Sequence, residues 1–272
     1  MKSFLRNAAV YVTDKALLNL ALRAYDNRSA RARKHLAQYA PDVQEYMKLR
    51  LSRGAADHTF LAWKLLELIY QLERIRPQSI VEFGSGITTY IFARYAARHN
   101  ASIVTVDETP EWQQVVRSEL PDQLRKLVQW EQRKSCSEVQ ESGQVVFYEQ
   151  GYSASLPKTI DLAYVDGPTC LDIGGKKTPC IDVPKLLASG HVVRNVLYDY
   201  RLDSADYLLD APVGLRYDGD LFYELQYKRS GCAMGLTDRH HTHLYQRTEE
   251  VGAGAKTETS DAASVSAEPA AR

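Results

Sequence analysis

The sequence predicts an α/β fold with a doubly wound, mostly parallel β-sheet. Between residues 77 and 248, short apolar stretches of strand length alternate with stretches of helical periodicity, and this alternation is typical of parallel sheets. A glycine-rich turn follows the first strand and acidic residues end later strands, which places polar groups at one edge of the predicted sheet. Two final strand patterns predict an antiparallel pair at the end of the domain.

The first half of this domain contains three predicted strands and two predicted helices. The run SIVEF at 79–83 is a short apolar strand, and SIVTVD at 102–107 is the second. Between them, the run at 87–99 is helical, because its apolar residues recur at helical spacing on one side. Pro110 opens the next helix, since proline suits the first turn, and KLVQWE at 126–131 is the third strand.

The second half of the domain repeats the pattern. Each strand pattern is a short run of apolar and aromatic residues bounded by turn-forming or charged residues. The predicted elements, in chain order, are a locally paired strand at 145–149, a strand at 160–166, a helix through Val183, Leu186 and Leu187, a strand at 191–199, and the antiparallel pair at 221–227 and 242–247.

Two further segments flank this domain. Residues 1–76 form a predicted helical extension, whose last helix is capped by Thr59 and ends before Pro77, because the residue preceding proline is pushed out of the α-region. Its two expected uses are to cover an acceptor site or to form a homodimer surface. Residues 249–272 are predicted to be disordered, since their Ala, Ser, Thr, Glu and Gly residues bury too little apolar surface to offset chain entropy.

Composition excludes several functional classes. The 272 residues are 44% hydrophobic and 25% charged, which rules out a wholly disordered, collagen-like or coiled-coil protein. Lys and Arg number 34, as do Asp and Glu, so no global basic field would attract nucleic acid or an anionic membrane. The four cysteines form no C-x-x-C pair and are read as reduced thiols. We therefore expect a cytoplasmic protein without a membrane span.

The first candidate binding motif is the turn from Glu82 to Gly86, which joins the first strand to its helix. Gly84 and Gly86 allow positive φ and let backbone N–H groups approach a ligand, and the following helix presents its amino end. Thr88 and Thr89 add hydroxyl groups. An ordinary strand-to-helix turn is the alternative interpretation of this pattern.

Two aspartates are expected at the same sheet edge. Asp107 ends the second strand, 21 positions after Gly86, which is about the distance at which an acidic side chain meets a ribose in nucleoside-binding folds. Glu108 beside it is a less well-placed rival. Asp166 is delivered by the strand at 160–166 and followed by Gly-Pro. Either aspartate could instead cap a helix or stabilise a turn, but three such features on successive strands favour a binding site.

These motifs together resemble those of class I S-adenosylmethionine-dependent methyltransferases. The turn from Glu82 to Gly86 resembles their motif I, Asp107 matches the acidic residue that ends their second strand, and the segment 160–168 resembles their fourth-strand motif. The resemblance implies a Rossmann-like methyltransferase fold over residues 77–248. It implies that S-adenosyl-L-methionine binds at Glu82, Gly84, Ser85, Gly86, Thr88, Asp107 and Asp166.

The resemblance also suggests individual roles. Gly84 and Gly86 would pack against the methionine part of the cofactor, and Glu82 would support the loop or bind the amino group. Asp107 would bind the ribose, and Asp166 would face donor and acceptor as the catalytic residue. Glu131 and Glu149 compete as the acidic residue near the adenine.

A divalent cation is a secondary expectation. Asp166 and Asp199, at the ends of neighbouring strands, resemble the metal ligands of catechol-type methyltransferases. Tyr200 follows Asp199 where asparagine is common in that group, which favours structural capping or packing as the use of Asp199. The histidines between His240 and His243 are a second candidate for metal binding, and surface positions are the favoured interpretation.

The sequence therefore predicts an enzyme that transfers methyl groups to a hydroxyl of a small molecule or a sugar. No asparagine-proline-proline-aromatic tetrad, which marks amine methylation, follows the fourth strand. A nicotinamide-dependent oxidoreductase is one alternative, although Thr89 stands at the third glycine of the dinucleotide motif. A non-catalytic nucleoside-binding module is another. We expect a small-molecule partner and no nucleic acid.

Overall fold

The computed structural model covers most of the α/β domain and two of the helical regions before it. It describes residues 30–53, 61–149, 156–170, 172–173, 176–199, 201–210, 215–217 and 241–246. The predicted cap at Thr59, the predicted strand at 221–227, Tyr200, His240 and the predicted tail at 249–272 lie outside the described residues.

Helices and strands alternate along the described chain. The helices are α1 (30–39), α2 (Pro41–Ser52), α3 (Leu61–Ile75), α4 (Ile87–His99), α5 (Pro110–Glu119), α6 (Asp122–Arg125), α7 (Asp182–Ala188) and α8 (Leu202–Asp210). The strands are β1 (Ser79–Phe83), β2 (Ser102–Asp107), β3 (Val128–Gln132), β4 (Ser135–Gln140), β5 (Gly143–Tyr148), β6 (Thr159–Ile160), β7 (Leu162–Val165), β8 (Asp172–Ile173), β9 (Lys176–Lys177), β10 (Val192–Val193), β11 (Asn195–Asp199), β12 (Leu215–Tyr217) and β13 (His241–Gln246).

The main sheet confirms the predicted fold class. Within the described residues it has seven strands in the order β12-β13-β11-β7-β1-β2-β3. The five strands from β11 to β3 are parallel, and β13 is antiparallel to both of its neighbours. This is a Rossmann-like sheet with an antiparallel addition at one end. The strand order reverses direction between β1 and β7, where ligands bind in open α/β sheets.

Two predicted strands are divided in the structure. The prediction at 160–166 becomes β6 and β7, and that at 191–199 becomes β10 and β11, with β6 and β10 pairing in a small separate sheet. The division falls at Asp161 and Arg194, whose side chains form an ion pair at 2.8 Å. Asp161 also accepts the backbone N–H groups of Gln78 and Ser79 at 2.9 and 3.1 Å. These hydrogen bonds to the Asp161 side chain replace backbone pairing at this position, so the strand does not continue through Asp161.

The strand register brings the loops after β1, β2 and β7 together. Phe83, the last residue of β1, is level with Val106 of β2 and Val165 of β7. The chain therefore leaves these three strands at the same edge of the sheet, where Gly84 and Asp166 follow β1 and β7 and Asp107 is the last residue of β2. This arrangement follows from parallel pairing alone and fixes the position of the site.

One hydrophobic core joins the N-terminal helices to the sheet. Buried residues of α1, α2 and α3 pack with α4 and with residues of β1, β7 and β11 on one face. Leu36, Val43 and Leu68 represent these three helices in the core, and each is fully buried. A second cluster fills the other face, where α7 and α8 pack. No helix in the described part of the chain is both long and apolar enough to cross a membrane.

Candidate active site

A cavity of about 410 Å³ opens at the edge where β1, β2 and β7 end. Its volume falls within the range of about 300–1,000 Å³ that is typical of small-molecule sites. The described residues that line it come from the ends of these strands and the loops after them, from the last residue of β5, from the starts of α4 and α5, and from the N-terminal helices α2 and α3. They are Arg50, Lys64, Gly84, Ser85, Gly86, Ile87, Asp107, Glu108, Thr109, Trp112, Tyr148, Asp166, Gly167 and Thr169.

The glycine turn after β1 is packed against the loop after β7. Gly84 has φ +94°, a conformation that side chains rarely adopt. A Cβ atom on Gly84 would lie 2.8 Å from the carbonyl carbon of Asp166 and 2.8 Å from the nitrogen of Gly167. The Gly84 N–H donates to the carbonyl of Val106 at 2.8 Å, which ties the turn to β2 as well. Glycine is therefore required here on two grounds, backbone conformation and close approach.

Glu82 lies beneath this turn and holds it from below. Its side chain is fully buried and accepts hydrogen bonds from the hydroxyls of Thr88, Thr89 and Thr105 at 2.6, 2.7 and 2.8 Å. Burial raises the pKa of Glu82 to about 7, although the three hydroxyls lower it. Glu82 and Thr88 are not among the described residues that line the cavity, so direct contact of either with a cofactor stays a prediction.

Asp107 organises the side of the cavity next to β2. Its Oδ2 accepts the N–H and the hydroxyl of Ser85 at 2.7 and 2.6 Å, and its Oδ1 accepts the N–H of Thr109 at 2.9 Å. The Trp112 indole, which also lines the cavity, donates to the Ser85 carbonyl at 2.7 Å. The carboxylate therefore fixes the turn after β1 and still borders the cavity.

Glu108 bridges two loops at the mouth of the cavity. It accepts the N–H of Thr169 at 2.8 Å, which connects the loop after β2 to the loop after β7. Partial burial raises the pKa of Glu108, but hydrogen bonds from Ser135 and Thr169 outweigh burial, and the pKa lies below its ordinary value. Glu108 is consequently an ionised carboxylate at the cavity wall.

Asp166 belongs to a cluster of charged groups that the sequence did not predict. Lys64 of α3 forms an ion pair with Asp199, and its Nζ lies 3.8 Å from Oδ2 of Asp166. The hydroxyl of Tyr164 donates to Oδ2 of Asp199, the oxygen that also contacts Lys64, at 3.0 Å. On the other side, Arg201 Nη2 lies 4.0 Å from Oδ1 of Asp166. The side chain of Asp199 is 4% exposed, whereas that of Asp166 is 42% exposed and borders the cavity.

This cluster changes the acid–base character of Asp166. Although part of its side chain faces the open cavity, burial by the surrounding protein raises the pKa of Asp166 well above its ordinary value, and the nearby Asp199 carboxyl raises it further. Lys64 and Arg201 act in the opposite direction with smaller effect. A carboxyl group with a raised pKa is a better proton acceptor than an ordinary aspartate once it is ionised.

The two neighbouring carboxyl groups of Asp166 and Asp199, the acidic pair, do not fit a divalent cation. The ammonium of Lys64 already contacts Asp199 and approaches Asp166, so a metal ion would compete for the same oxygens against a like charge. In the residues that the structure describes, no group of three or more His, Cys, Asp or Glu side chains could hold a metal ion. His241 and His243 lie on β13, on the strand that pairs with β11.

Several residues of the site carry little or no sequence signal. Lys64 lies one turn before the buried Leu68, so a charge within the apolar face of α3 was the available clue. Arg50 and Tyr148 reach the cavity through tertiary packing, which periodicity does not reveal. The two acidic residues considered for the adenine, Glu131 and Glu149, are not among the described residues that line the cavity.

Comparisons with known proteins give only distant structural similarities. No protein-family model matches the chain, and no curated protein is significantly similar to it. Cofactor-bound Rv0187 from MTB is 13% identical, with a TM-score of 0.44 over 67% of this chain and 84% of its own. A candidate O-methyltransferase from Klebsiella pneumoniae is 14% identical, with a TM-score of 0.43 over 68% of this chain and 86% of its own.

A third solved structure is similar to a comparable extent. The O-methyltransferase TomG from Streptomyces achromogenes, involved in tomaymycin synthesis and solved with SAM, is 14% identical, with a TM-score of 0.40. The match covers 65% of this chain and 75% of that one. The function has to be argued from the site itself.

Proposed function

We propose that this protein is an S-adenosylmethionine-dependent methyltransferase that methylates a hydroxyl group of a small molecule. The observation that carries the proposal is the convergence of the Gly84 turn, Asp107 and Asp166 around one cavity at the edge of a parallel sheet. Each comes from a different strand, and each borders the same space. This is the position where open α/β sheets bind nucleoside ligands.

The charges of the cavity favour a cationic ligand. Asp107, Glu108 and Asp166 present carboxyl groups to it. The two cations among the described lining residues are already engaged, because Arg50 pairs with Glu119 and Lys64 pairs with Asp199. S-adenosylmethionine carries a positive sulfonium and an ammonium group, whereas a nicotinamide dinucleotide carries a negative pyrophosphate. The cavity therefore suits the former better than the latter.

The protein's own residues have distinct parts in this proposal. Asp107 accepts hydrogen bonds from the ribose hydroxyls, and the Gly84–Gly86 turn leaves room for the amino-acid end. S-adenosylmethionine, when bound, supplies a methyl carbon on sulfur, and the carbon–sulfur electron pair leaves with the sulfur as the acceptor oxygen attacks. Asp166 takes the proton from the acceptor hydroxyl, which makes its oxygen a better nucleophile. The rest of the site holds the acceptor in line.

Calorimetric titration of the full chain with S-adenosylhomocysteine, with NAD as the comparison ligand, tests the proposal. We expect micromolar binding of the homocysteine nucleoside and a loss of at least about tenfold in affinity in Asp107→Ala, since hydrogen bonds to a charged group contribute about 1.5–3 kcal/mol. Asp122→Ala, on the exposed start of α6, is the matched control. Binding of NAD alone would overturn the proposal in favour of an oxidoreductase. Binding without transfer to any hydroxyl acceptor would favour a non-catalytic module.

A further inference from the structure

We propose that Lys64 is a positioning residue whose ammonium is the resident counter-ion of the Asp166–Asp199 pair, in the place that a divalent cation would need. The pair is contributed by the ends of two neighbouring parallel strands, β7 and β11, and the lysine by a helix that precedes the sheet in the chain. The part of this inference that concerns the acceptor rests on the proposed function. The counter-ion part stands on the geometry alone.

The burial of Lys64 and Asp199 requires that their charges compensate each other. The Lys64 side chain is 18% exposed and that of Asp199 is 4% exposed, so water screens the pair poorly. Removing a charge from water costs several kcal/mol unless an opposite charge and hydrogen bonds replace the lost hydration. Asp199 receives both, from the ammonium of Lys64 and from the hydroxyl of Tyr164 at 3.0 Å.

The same ammonium also reaches the residue that faces the cavity. Its Nζ lies 3.8 Å from Oδ2 of Asp166, and both Lys64 and Asp166 line the cavity. Burial lowers the pKa of Lys64, but Asp199 and Asp166 outweigh burial and raise it above its ordinary value, so this group stays protonated. Lys64 can donate a hydrogen bond to the oxygen of a bound hydroxyl group, and Asp166 can accept the proton of the same hydroxyl group.

This arrangement replaces what a metal ion would do for a hydroxyl acceptor. A divalent cation would be held by carboxylate oxygens and would bind the acceptor oxygen. Here the ammonium of Lys64 contacts Asp199 and approaches Asp166, and it offers N–H donors in place of a Lewis acid. The acceptor oxygen would receive a hydrogen bond from Lys64 while its proton passes to Asp166. The inference is that the acceptor is a hydroxyl compound positioned without a metal ion.

A double-mutant cycle tests whether Lys64 and Asp199 act as a pair. In urea unfolding of the full chain, Lys64→Met is expected to lower the folding equilibrium constant at least about tenfold, because it leaves buried carboxyl groups without a counter-ion. When Asp199→Asn is already present, the same change is expected to cost less than about threefold. Lys48→Met, at an exposed position of α2, is the matched control. Additive effects of Lys64→Met and Asp199→Asn would overturn the inference.

Manganese binding provides the second readout. We expect the paramagnetic resonance signal of free Mn²⁺ to be the same with the wild-type chain as with Asp199→Asn, because the ammonium excludes a cation from the Asp166–Asp199 pair. Stoichiometric Mn²⁺ uptake by the wild type that is lost in Asp199→Asn would overturn the inference. If Lys64→Met does not fold, Lys64→Gln, which also removes the charge, takes its place, and its cycle with Asp199→Asn must show the same coupling. Failure of S-adenosylhomocysteine to bind the wild type would count against the proposed function and leave these two results unaffected.

Discussion

One oxygen of Asp107, Oδ2, accepts both the backbone N–H and the hydroxyl of Ser85, at 2.7 and 2.6 Å. The carboxylate that the sequence assigns to a ribose is thus also the group that anchors the glycine turn. Its remaining lone pairs are the ones that a ligand could use, since Oδ1 accepts only the N–H of Thr109 among the bonds described above. Binding and loop geometry are consequently coupled through this one side chain.

Asp107→Asn and Ser85→Ala separate these two uses. The asparagine places an NH₂ group against N–H donors, so we expect both a looser turn and a 10- to 100-fold weaker affinity for S-adenosylhomocysteine, as estimated for one or two charged hydrogen bonds. Ser85→Ala removes one donor but keeps the carboxylate and the backbone bond, so its affinity should stay within about threefold of the wild type. Calorimetric titration measures both. Equal losses in the two variants would contradict a direct contact between Asp107 and the ligand.

Gly84→Ala and Gly143→Ala form a matched pair of substitutions. Both glycines have positive φ, +94° and +121°, so both variants incur backbone strain of about 1 kcal/mol. Only Gly84 has close neighbours, because the space around the Gly143 position is open within 4 Å. We expect Gly84→Ala to lower the free energy of unfolding by about 3 kcal/mol or more and Gly143→Ala by about 1 kcal/mol. Urea denaturation measures both values, and similar losses would show that the contact with Asp166 and Gly167 is easily relaxed.

Glu82→Gln is expected to alter the pH dependence of stability. The folded-state pKa of Glu82 is about 7, above its ordinary value of 4.5, so its contribution is fully present below pH 4.5 and is lost as the pH rises to 7. Glutamine mimics the protonated form, and the variant should therefore gain stability relative to the wild type across this window. The full difference at pH 8 is on the order of 3 kcal/mol.

Denaturation curves at pH 5 and pH 8 measure this difference. Glu45→Gln, at an exposed position of α2, is the control and should show the same pH dependence as the wild type. Parallel behaviour of Glu82→Gln and the wild type would mean that Glu82 is ionised in the folded protein over the whole range.

The ionisation of Asp166 should determine the pH below which the rate of methyl transfer falls. A general base must be ionised, and the pKa of Asp166 is raised by burial and by Asp199, so activity should be lost at a higher pH than for an ordinary aspartate of pKa about 3.9. Lys64→Met removes a group that lowers this pKa and should move this fall in rate to still higher pH. Asp166→Asn should reduce the rate about 10²- to 10⁴-fold. Rate measurements between pH 5 and pH 9 with an accepted hydroxyl compound would refute this if Asp166→Asn kept the wild-type profile.

Arg50 and Arg53 offer a contrast in how α2 is attached. Both pair with Glu119 of α5, but the Arg50 side chain is 6% exposed and that of Arg53 is 55% exposed. Arg50 also lies over the Trp112 ring, 4.8 Å from its centre. Because Arg50→Met leaves the buried Glu119 with only the exposed Arg53 as a partner, at 3.3 Å, we expect a loss of about 3 kcal/mol in the free energy of unfolding. Arg53→Met should cost less than about 1 kcal/mol, and equal losses by urea denaturation would contradict the difference in burial.

The parts of the site that could be predicted are those set by neighbouring residues along the chain. The strand at 79–83, the glycine turn and Asp107 follow from periodicity and from turn chemistry, and parallel pairing then places their ends together. The division of the strand at 160–166 was missed, because the hydrogen bonds from Asp161 to Gln78 and Ser79 join residues about 80 positions apart in the sequence. Local patterns carry no information about such bonds.

The charged cluster could not be predicted for the same reason. Lys64, Asp166 and Asp199 lie in three separate parts of the chain, and only the packing of α3 on the sheet brings the lysine to the carboxyl groups. The resemblance to methyltransferases supplied Asp166 and Asp199 but not their partner. Glu82 illustrates the opposite case, since the motif names this residue but does not reveal the three threonine hydrogen bonds through which it supports the turn.

The separation of 135 residues between Lys64 and Asp199 has a consequence for synthesis. A ribosome delivers the lysine long before the strand that neutralises it, so the growing chain must keep this cation hydrated while the earlier helices are already available to pack. Contacts between such distant residues form late, because a long loop has to close first. This ion pair can therefore form only after β11 has been made, and a chain interrupted before β11 would have the glycine turn without the Lys64–Asp199 pair.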